Sequence, residues 1–238
     1  MVDVHCHILP GVDDGSRSVA MSLEMLSRAA AQGVGAIVFT PHFYADMDSP
    51  ETFLARRNEA FATLTKAVRE HPIQDCPYFA LGSEVHYFRG ISRSDAPEKL
   101  CFGNSDYVLI EMPFRSWQPQ MISEIEEISK VLGLRVIIAH IERYLDQDKK
   151  LIRRLIDNPD LIIQSNAEFF IEKATTKLAL KMLKAGQIDL LGSDCHNLDS
   201  RRPNLSDAFD IIENKLGSRY TDRLIRNGRT VFEEVTDV

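Results

Sequence analysis

The chain has 238 residues, a formal net charge of −7, and 44% apolar and 26% charged residues. This is the composition of an ordinary globular protein, and the acidic balance argues against a nucleic-acid partner or an anionic membrane surface. No apolar run approaches the ~20 residues of a membrane span, and the first residues lack the basic start and apolar stretch of a secretory signal. We therefore expect a cytoplasmic protein with a single domain over residues 1–238.

The four cysteines are Cys6, Cys76, Cys101 and Cys195. They show no C-x-x-C spacing and no dense framework, which fits a reducing compartment and argues against a cysteine-based zinc site. Any metal must then be held by histidines and carboxylates.

Short apolar runs alternate with helical patterns along the chain. The runs that predict strands are 3–7, 36–39, 78–81, 107–110, 135–139, 161–164 and 188–191. The patterns that predict helices are 18–32, 49–72, 118–132, 151–156, 178–185, 205–216 and 220–226, whereas 87–103 receives no assignment. Strands that need cover on both faces favour an α/β fold, and a parallel barrel over a sandwich. A doubly wound open sheet is the rival.

Local signals support several of the helix boundaries. Ser18 is placed to cap the first helix and Gly33 to end it. Ser49 followed by Pro50 provides a cap and a first-turn proline for the second helix. Gly133 stands where helices commonly finish in a left-handed residue.

Polar residues recur at the ends of the predicted strands. His5 and His7 are two residues apart, so a strand presents both imidazoles on one face. An isolated H-x-H motif more often lies on the solvent-exposed face of an edge strand. Here, however, further candidate metal ligands follow the later apolar runs. They are His42, Glu84, Glu111, His140, Asp194 and His196, with Asp14 from the first loop. In parallel barrels the carboxyl ends of strands converge on one mouth, so we expect these nine side chains to meet.

These nitrogen and oxygen ligands suit Mn, Zn, Fe or Mg, and they are too many for one ion. Two or three ions bridged by carboxylates are a standard device for phosphate-ester hydrolysis. The ions generate hydroxide near neutral pH and clamp the phosphoryl oxygens. We therefore interpret the pattern as a phosphatase site.

Longer motifs carry a family resemblance over nearly the whole chain. The specific ones are Val12-Asp-Asp-Gly15, His140-Ile-Glu-Arg-Tyr144 and His196-Asn-Leu-Asp-Ser-Arg201, beside Thr40-Pro-His42 and Gly82-Ser-Glu84. They resemble the polymerase and histidinol phosphatase (PHP) superfamily, and within it the bacterial tyrosine phosphatases of capsule and exopolysaccharide synthesis, the CpsB or YwqE-like type. The resemblance implies a distorted (β/α)7 TIM-like barrel with a trinuclear, manganese-preferring site. It also implies a phosphotyrosine protein substrate, namely a bacterial tyrosine kinase controlling polysaccharide export.

The resemblance also assigns roles to single residues. His5, His7, Glu84 and Asp194 match one metal position, and His42, Glu84, Glu111 and His140 match a neighbouring one. Asp14 and His196 match ligands of the third metal, and Arg143 and Arg201 match two active-site arginines. A planar guanidinium binds phosphate in a two-pronged way, which agrees with that role.

Alternatives to this interpretation stay open. The same metals can serve a small-molecule phosphomonoesterase such as a histidinol-phosphate phosphatase, and a catalytically silent PHP module can bind a partner only. Arg143 and Arg201 can instead pair with carboxylates such as Glu142 or Asp199. The helix over 18–32 can serve as an assembly face, so a homo-oligomer is also open.

One motif points to a different mechanism. Cys195 to Arg201 spells C-x5-R, the spacing of cysteine-dependent tyrosine phosphatases. The intervening residues are bulky and include the anionic Asp199, unlike a phosphate-binding loop built from inward-pointing backbone N–H groups. If the segment is extended and Asp194 and His196 bind metal, Cys195 faces away. We therefore expect both Cys195 and Cys6 to be packing residues.

Three further polar residues share strands with the candidate ligands or lie on a neighbouring strand. Gln164 and Asn166 on the sixth strand are placed to hydrogen-bond metal ligands. His86 shares a strand face with Glu84 and is expected to be exposed or to support a ligand.

Overall fold

The computed structural model describes residues 1–236, and all the strand pairs in that range are parallel. The strands are β1 (Val2–Cys6), β2 (Ala36–Phe39), β3 (His42–Phe43), β4 (Tyr78–Leu81), β5 (Glu84–His86), β6 (Tyr107–Glu111), β7 (Arg135–Ile138), β8 (Leu161–Asn166) and β9 (Leu190–Gly192). Each of the seven predicted runs overlaps one of these strands, so the α/β fold with parallel strands is confirmed.

Helices follow the strands along the chain. They are α1 (Val19–Ala31), α2 (Pro50–Glu70), α3 (Ala96–Lys99), α4 (Pro119–Leu132), α5 (Lys149–Ile156), α6 (Glu168–Ile171), α7 (Thr176–Lys184), α8 (Leu205–Leu216) and α9 (Ser218–Thr236), with 3₁₀ turns at Ile91–Arg93 and Ile141–Tyr144. No helix among residues 1–236 is long and apolar enough to cross a bilayer.

The predicted caps are confirmed. Ser18 Oγ accepts from Met21 N at 3.2 Å, and Ser49 Oγ accepts from Thr52 N at 3.2 Å. Gly133 ends α4 with a φ of 71°, a left-handed conformation that glycine adopts without steric cost.

The strands form two sheets that run into each other. The smaller has the order β1-β2-β4 and the larger β3-β5-β6-β7-β8-β9. Residues 40–41 separate β2 from β3, and residues 82–83 separate β4 from β5, so each pair continues one path through the molecule. A parallel bridge between Cys6 and Cys195 then brings β1 beside the end of β9. The first and last strands therefore meet.

Helix α9 determines which end of the strands is free. Gly228 of α9 packs against Val2 at the start of β1, and a cavity between α9 and the sheet is lined by Ala36 and Tyr78. Val231 and Val235 of α9 join a buried cluster with strand residues. The amino ends of β1, β2 and β4 are covered in this way, which leaves the carboxyl ends of the strands to build a site.

Several elements differ from the predictions. Two short strands, β3 and β5, were not predicted. They begin at the candidate ligands His42 and Glu84, each separated by two residues from the end of the preceding strand, β2 or β4. Helix α9 continues well past the predicted 220–226, and the one-turn helix α6 was not predicted. The segment 87–103 contains only a 3₁₀ turn and the short α3. Short irregular elements lack the periodicity from which longer ones are predicted.

Candidate metal centre

Four of the predicted ligands meet at the carboxyl ends of β1 and β9 and at the first residue of β5, which follows β4. His5, His7, Glu84 and Asp194 each offer a ligand atom, and these atoms lie within 4.8 Å of one another. Glu84 Oε2 is 3.1 Å from His5 Nε2 and 3.2 Å from His7 Nε2. Asp194 Oδ1 is 3.3 Å from His7 Nε2. All four side chains are buried.

A second group shares Glu84 with the first. It contains His42, Glu84 and Glu111, again with ligand atoms within 4.8 Å of one another. His42 Nδ1 is 3.0 Å from Glu84 Oε2. His140 adjoins this group, since its Nε2 is 2.8 Å from Glu84 Oε1 and 3.4 Å from Glu111 Oε1.

The third group brings Asp14 and His196 to His7 and His42. Asp14 Oδ1 is 3.4 Å from His196 Nε2 and 3.7 Å from His42 Nε2. The carboxylate of Asp14 is 68% exposed, in contrast to the buried ligands of the first group. The nine predicted ligands thus lie in one cluster, and His7, His42 and Glu84 each belong to two groups.

The buried atoms at the centre of the cluster fit a bound cation. His42 Nδ1, Glu84 Oε2, Asp194 Oδ1 and His196 Nε2 are buried, and within residues 1–236 they form no hydrogen bond of acceptable geometry. Burying polar atoms without hydrogen bonds is costly, so a native structure that keeps four together needs a compensating partner. Their chemistry, imidazole nitrogen with carboxylate oxygen, is that of Mn, Zn, Fe or Mg sites.

Neighbouring side chains orient the imidazoles. Asp13 Oδ2 is 2.6 Å from His7 Nδ1, and Gln164 Oε1 is 3.2 Å from His5 Nδ1. In each case the outer ring nitrogen donates, which leaves Nε2 as a lone-pair donor toward the cluster. Tyr144 holds His140 from behind, with its hydroxyl 3.1 Å from Nδ1.

Two side-chain amides, those of Gln164 and Asn166, connect two of the candidate ligand groups. Gln164 Oε1 also accepts from His140 N at 2.7 Å, and Gln164 Nε2 donates to Asn166 Oδ1 at 3.1 Å. Asn166 Nδ2 then donates to Asp194 Oδ2 at 2.8 Å. Gln164 and Asn166 therefore contact ligands in the supporting way that the sequence predicts.

Both arginines contact the cluster. Arg143 Nη2 donates to Asp194 Oδ2 at 2.5 Å, and Arg201 Nη2 is 2.8 Å from Asp194 Oδ1. Their carboxylate partner is thus a candidate ligand and not Glu142 or Asp199, the partners considered in the alternative. Each arginine side chain is about one-third exposed, so N–H groups that do not bind Asp194 can reach an anion in the mouth.

The electrostatics of the cluster are those of opposite charges packed together. Burial disfavours charge on Glu84, but His5, His42 and a hydrogen bond from His140 outweigh it and hold the pKa of Glu84 well below its usual range. Burial likewise disfavours protonation of His140, yet hydrogen bonds to Glu111 and Glu84 raise its pKa to about 9. The positive charge beside these carboxylates now comes from imidazole protons. A bound divalent cation would supply that charge in their place.

Two candidate ligands have unusual backbone conformations. His140 has a φ of 30° and Asp194 a φ of 50°, both in the left-handed region that non-glycine residues rarely adopt. Such strain concentrates at functional sites, where the surroundings hold it. It also corrects one step of the sequence argument, because the segment through Asp194 is not extended.

The cysteines are nevertheless packing residues, as expected. Cys6 and Cys195 are fully buried, and the Cys6 thiol lies 3.6 Å from Val38 O. Burial raises the pKa of the Cys6 thiol well above its ordinary value, aided by its contact with Cys195. Neither thiol has the exposed, electropositive setting of a nucleophilic cysteine.

His86 supports a ligand from the rim. Its Nδ1 is 2.7 Å from Glu111 Oε2, and its side chain is 29% exposed. Of the two expectations for His86, exposure or support of a ligand, the contact with Glu111 fits the second.

Two aspartates near the predicted ligands, Asp13 and Asp3, received no supporting role from the sequence. Asp13 accepts from His42 N at 2.9 Å besides orienting His7. Asp3 accepts from Ser193 Oγ at 2.6 Å and Ser193 N at 2.9 Å, which ties β1 to the segment before Asp194. The motif Val12-Asp-Asp-Gly15 does point to two acidic residues near the site. Loop residues do not alternate regularly between two faces as strand residues do, so the sequence does not distinguish the supporting Asp13 from the candidate ligand Asp14.

Known proteins resemble this chain over nearly its whole length. The chain is 33% identical to the tyrosine-protein phosphatase CpsB of Streptococcus pneumoniae, with 98% of each chain covered. It is 28% identical to the tyrosine-protein phosphatase YwqE of Bacillus subtilis (strain 168), over 99% of this chain and 93% of that one. A crystal structure from a study of YwqE and CpsB, described as unique metal-dependent tyrosine phosphatases, superposes with a TM-score of 0.82 at 24% identity, covering 98% and 95% of the chains. The model of the family "Capsular polysaccharide synthesis, CpsB/CapC" matches residues 1–233, and the chain therefore belongs to that family.

Proposed function

We propose that this protein is a metal-dependent protein-tyrosine phosphatase. The observation that carries the proposal is the sharing of Glu84 between two ligand groups, with Arg143 and Arg201 beside them. A carboxylate between two sites is the arrangement expected for a multi-metal phosphatase. The names of the relatives support phosphotyrosine as the substrate and capsule synthesis as the setting.

The finer assignments belong to the same proposal. His5, His7, Glu84 and Asp194 would hold one ion, and His42, Glu84, Glu111 and His140 a second. Asp14 and His196, with His7 and His42, would hold a third. We propose Mn²⁺ as the preferred ion and a single distorted (β/α)7 barrel of the PHP type as the fold. A cytoplasmic location is part of this proposal.

The residues of the chain divide the chemistry between them. Bound divalent ions would make water a nucleophile near neutral pH and neutralise charge on the phosphoryl oxygens. Arg143 and Arg201 would orient the transferring phosphoryl group through two-pronged hydrogen bonds and stabilise the charge that develops on it. Asp13, Gln164 and Tyr144 keep the imidazoles fixed, so little reorganisation is needed during the reaction.

A comparison of two substrates tests the activity. The Mn²⁺-loaded protein should turn over a phosphotyrosine peptide with a higher kcat/KM than histidinol phosphate. The reverse order would favour a small-molecule phosphomonoesterase, and turnover of neither would favour a silent binding module.

The partner is the most specific part of the proposal. We infer that the substrate is the tyrosine cluster of a bacterial tyrosine kinase that regulates polysaccharide synthesis, as the family resemblance implies. The phosphorylated kinase from the same genome should lose phosphotyrosine on incubation with this protein. A kinase that stays phosphorylated while the peptide is hydrolysed would contradict the partner and leave the activity standing.

A further inference from the structure

A cavity of about 660 Å³ opens beside the third ligand group. Asp14 and His42 form part of its wall, so the cavity adjoins candidate metal ligands directly. Val12, Tyr44 and Met47 provide an apolar part of the wall. Volumes of this order accommodate small organic groups, and most such pockets are lined by apolar and aromatic side chains.

Tyr44 has a fixed position in this wall. Its ring centroid is 5.3 Å from the ring centroids of both His42 and His86. Contacts with two imidazoles place the Tyr44 ring beside the cluster. A phosphorylated group at the metals would thus find an aromatic side chain beside it.

Met47 is the exposed part of the wall. Its side chain is 77% exposed, although its backbone N donates to Tyr44 O at 3.0 Å. Arg56 Nη1 donates to Asp48 Oδ2 at 2.5 Å, which ties the same turn to α2. These contacts hold the backbone of the turn at the mouth, while the large apolar side chain of Met47 is exposed to water. Methionine is flexible and polarisable and packs well against aromatic rings.

We propose that this cavity takes the aromatic ring of the phosphorylated residue, with Tyr44 and Met47 packing against it. The inference rests on the proposed phosphatase function and adds the basis of its preference for aryl over alkyl phosphates. In an aryl phosphate only the ester oxygen separates the ring from phosphorus, so the ring must lie close to the ligand cluster. The cavity provides apolar surface at that place.

Phe114 offers the natural comparison. It is also exposed, at 59%, and its ring lies nearly parallel to that of His140 with centroids 6.4 Å apart. It follows β6, on the His140 side of the mouth, and packs on Tyr144 outside the cavity. Its removal should therefore leave the aryl preference unchanged.

Binding of two phosphonates tests the inference without turnover. Calorimetric titration of the Mn²⁺-loaded protein should give a lower Kd for phenylphosphonate than for methylphosphonate. Met47→Gln should reduce the ratio of the Kd for methylphosphonate to the Kd for phenylphosphonate about two- to tenfold. Met47→Leu should largely restore the ratio, and Phe114→Ala should keep it.

Each other outcome has a defined meaning. An unchanged ratio in Met47→Gln, or a ratio lowered by Phe114→Ala in its place, would overturn the inference. Equal binding of both phosphonates by the wild-type protein would overturn it while the phosphoryl site stands. Binding of neither would remove the proposed function and this inference with it.

Discussion

Arg143 and Asp194 are joined by a hydrogen bond of 2.5 Å from Nη2 to Oδ2. Asp194 is itself a member of the first ligand group, and Arg201 contacts its other oxygen. One carboxylate thus connects the candidate metal site to both candidate phosphate-binding arginines. Both guanidinium groups therefore lie next to the ligand atoms of the first group.

The arginines should therefore act on turnover more than on metal binding. Replacing either Arg143 or Arg201 by Ala should lower kcat/KM about 10²- to 10³-fold, because each hydrogen bond aimed at developing charge carries that much rate. Arg202→Ala is the matched control, since Arg202 is the next residue, is exposed and pairs with Asp207. Near-normal turnover of folded Arg201→Ala protein would refute its role.

Gly15 should be required for the position of His7. A Cβ at Gly15 would lie 2.2 Å from His7 O and 2.5 Å from His7 Cβ, closer than real atoms approach, so alanine must displace the first strand end. We expect Gly15→Ala to lose most bound metal and most activity. Gly35→Ala is the control, because the nearest atom to its added Cβ is 4.0 Å away. Metal analysis that finds equal contents in both variants would contradict this.

The thiol mechanism and the metal mechanism make opposite predictions at neighbouring residues. Cys195→Ser should keep most of the activity, because Cys195 is fully buried and is not a member of the three ligand groups found among residues 1–236. Asp194→Ala and His196→Ala should lose it, since both side chains belong to ligand groups. An inactive Cys195→Ser protein with its metals intact, or a trapped cysteinyl phosphate, would favour the thiol.

Metal binding should release protons near neutral pH. The pKa of His140 in the metal-free protein is about 9, above its ordinary 6.5, so the ring is protonated at pH 7.5 and must lose its proton to bind metal. In the metal-free protein its stabilising effect is present below about pH 6.5 and is lost as the pH rises through 9. Calorimetry in buffers of different ionisation enthalpy should detect more proton release at pH 7.5 than at pH 9.5. Equal release at the two pH values would be inconsistent with this shift.

The parts of the site that follow strand geometry were predictable from the sequence. His5 and His7 share a face because a strand alternates, and Glu111 is the last residue of a strand whose five residues are all buried. The carboxyl ends of parallel barrel strands lie at one mouth, so candidate ligands far apart in the sequence could be expected to lie together. The helix boundaries at Ser18, Ser49 and Gly133 followed from capping rules.

Other features depend on tertiary contacts that no local pattern encodes. Asp13 orients His7 because the first loop folds back, with Ser16 N donating to His7 O at 2.9 Å. The left-handed conformations of His140 and Asp194 are held by their surroundings, against their local preference. The breaks that create β3 and β5 likewise depend on how neighbouring strands pair.

The central claim is that the ligand cluster binds the ions that enable phosphotyrosine hydrolysis. Its most direct test is a titration of chelator-stripped protein with Mn²⁺, following turnover of a phosphotyrosine peptide and bound metal per chain in the same samples. Stripped protein should be inactive, and activity should rise with bound metal and saturate at two to three ions per chain. Full turnover by the stripped protein, with no gain on adding Mn²⁺, would contradict the account.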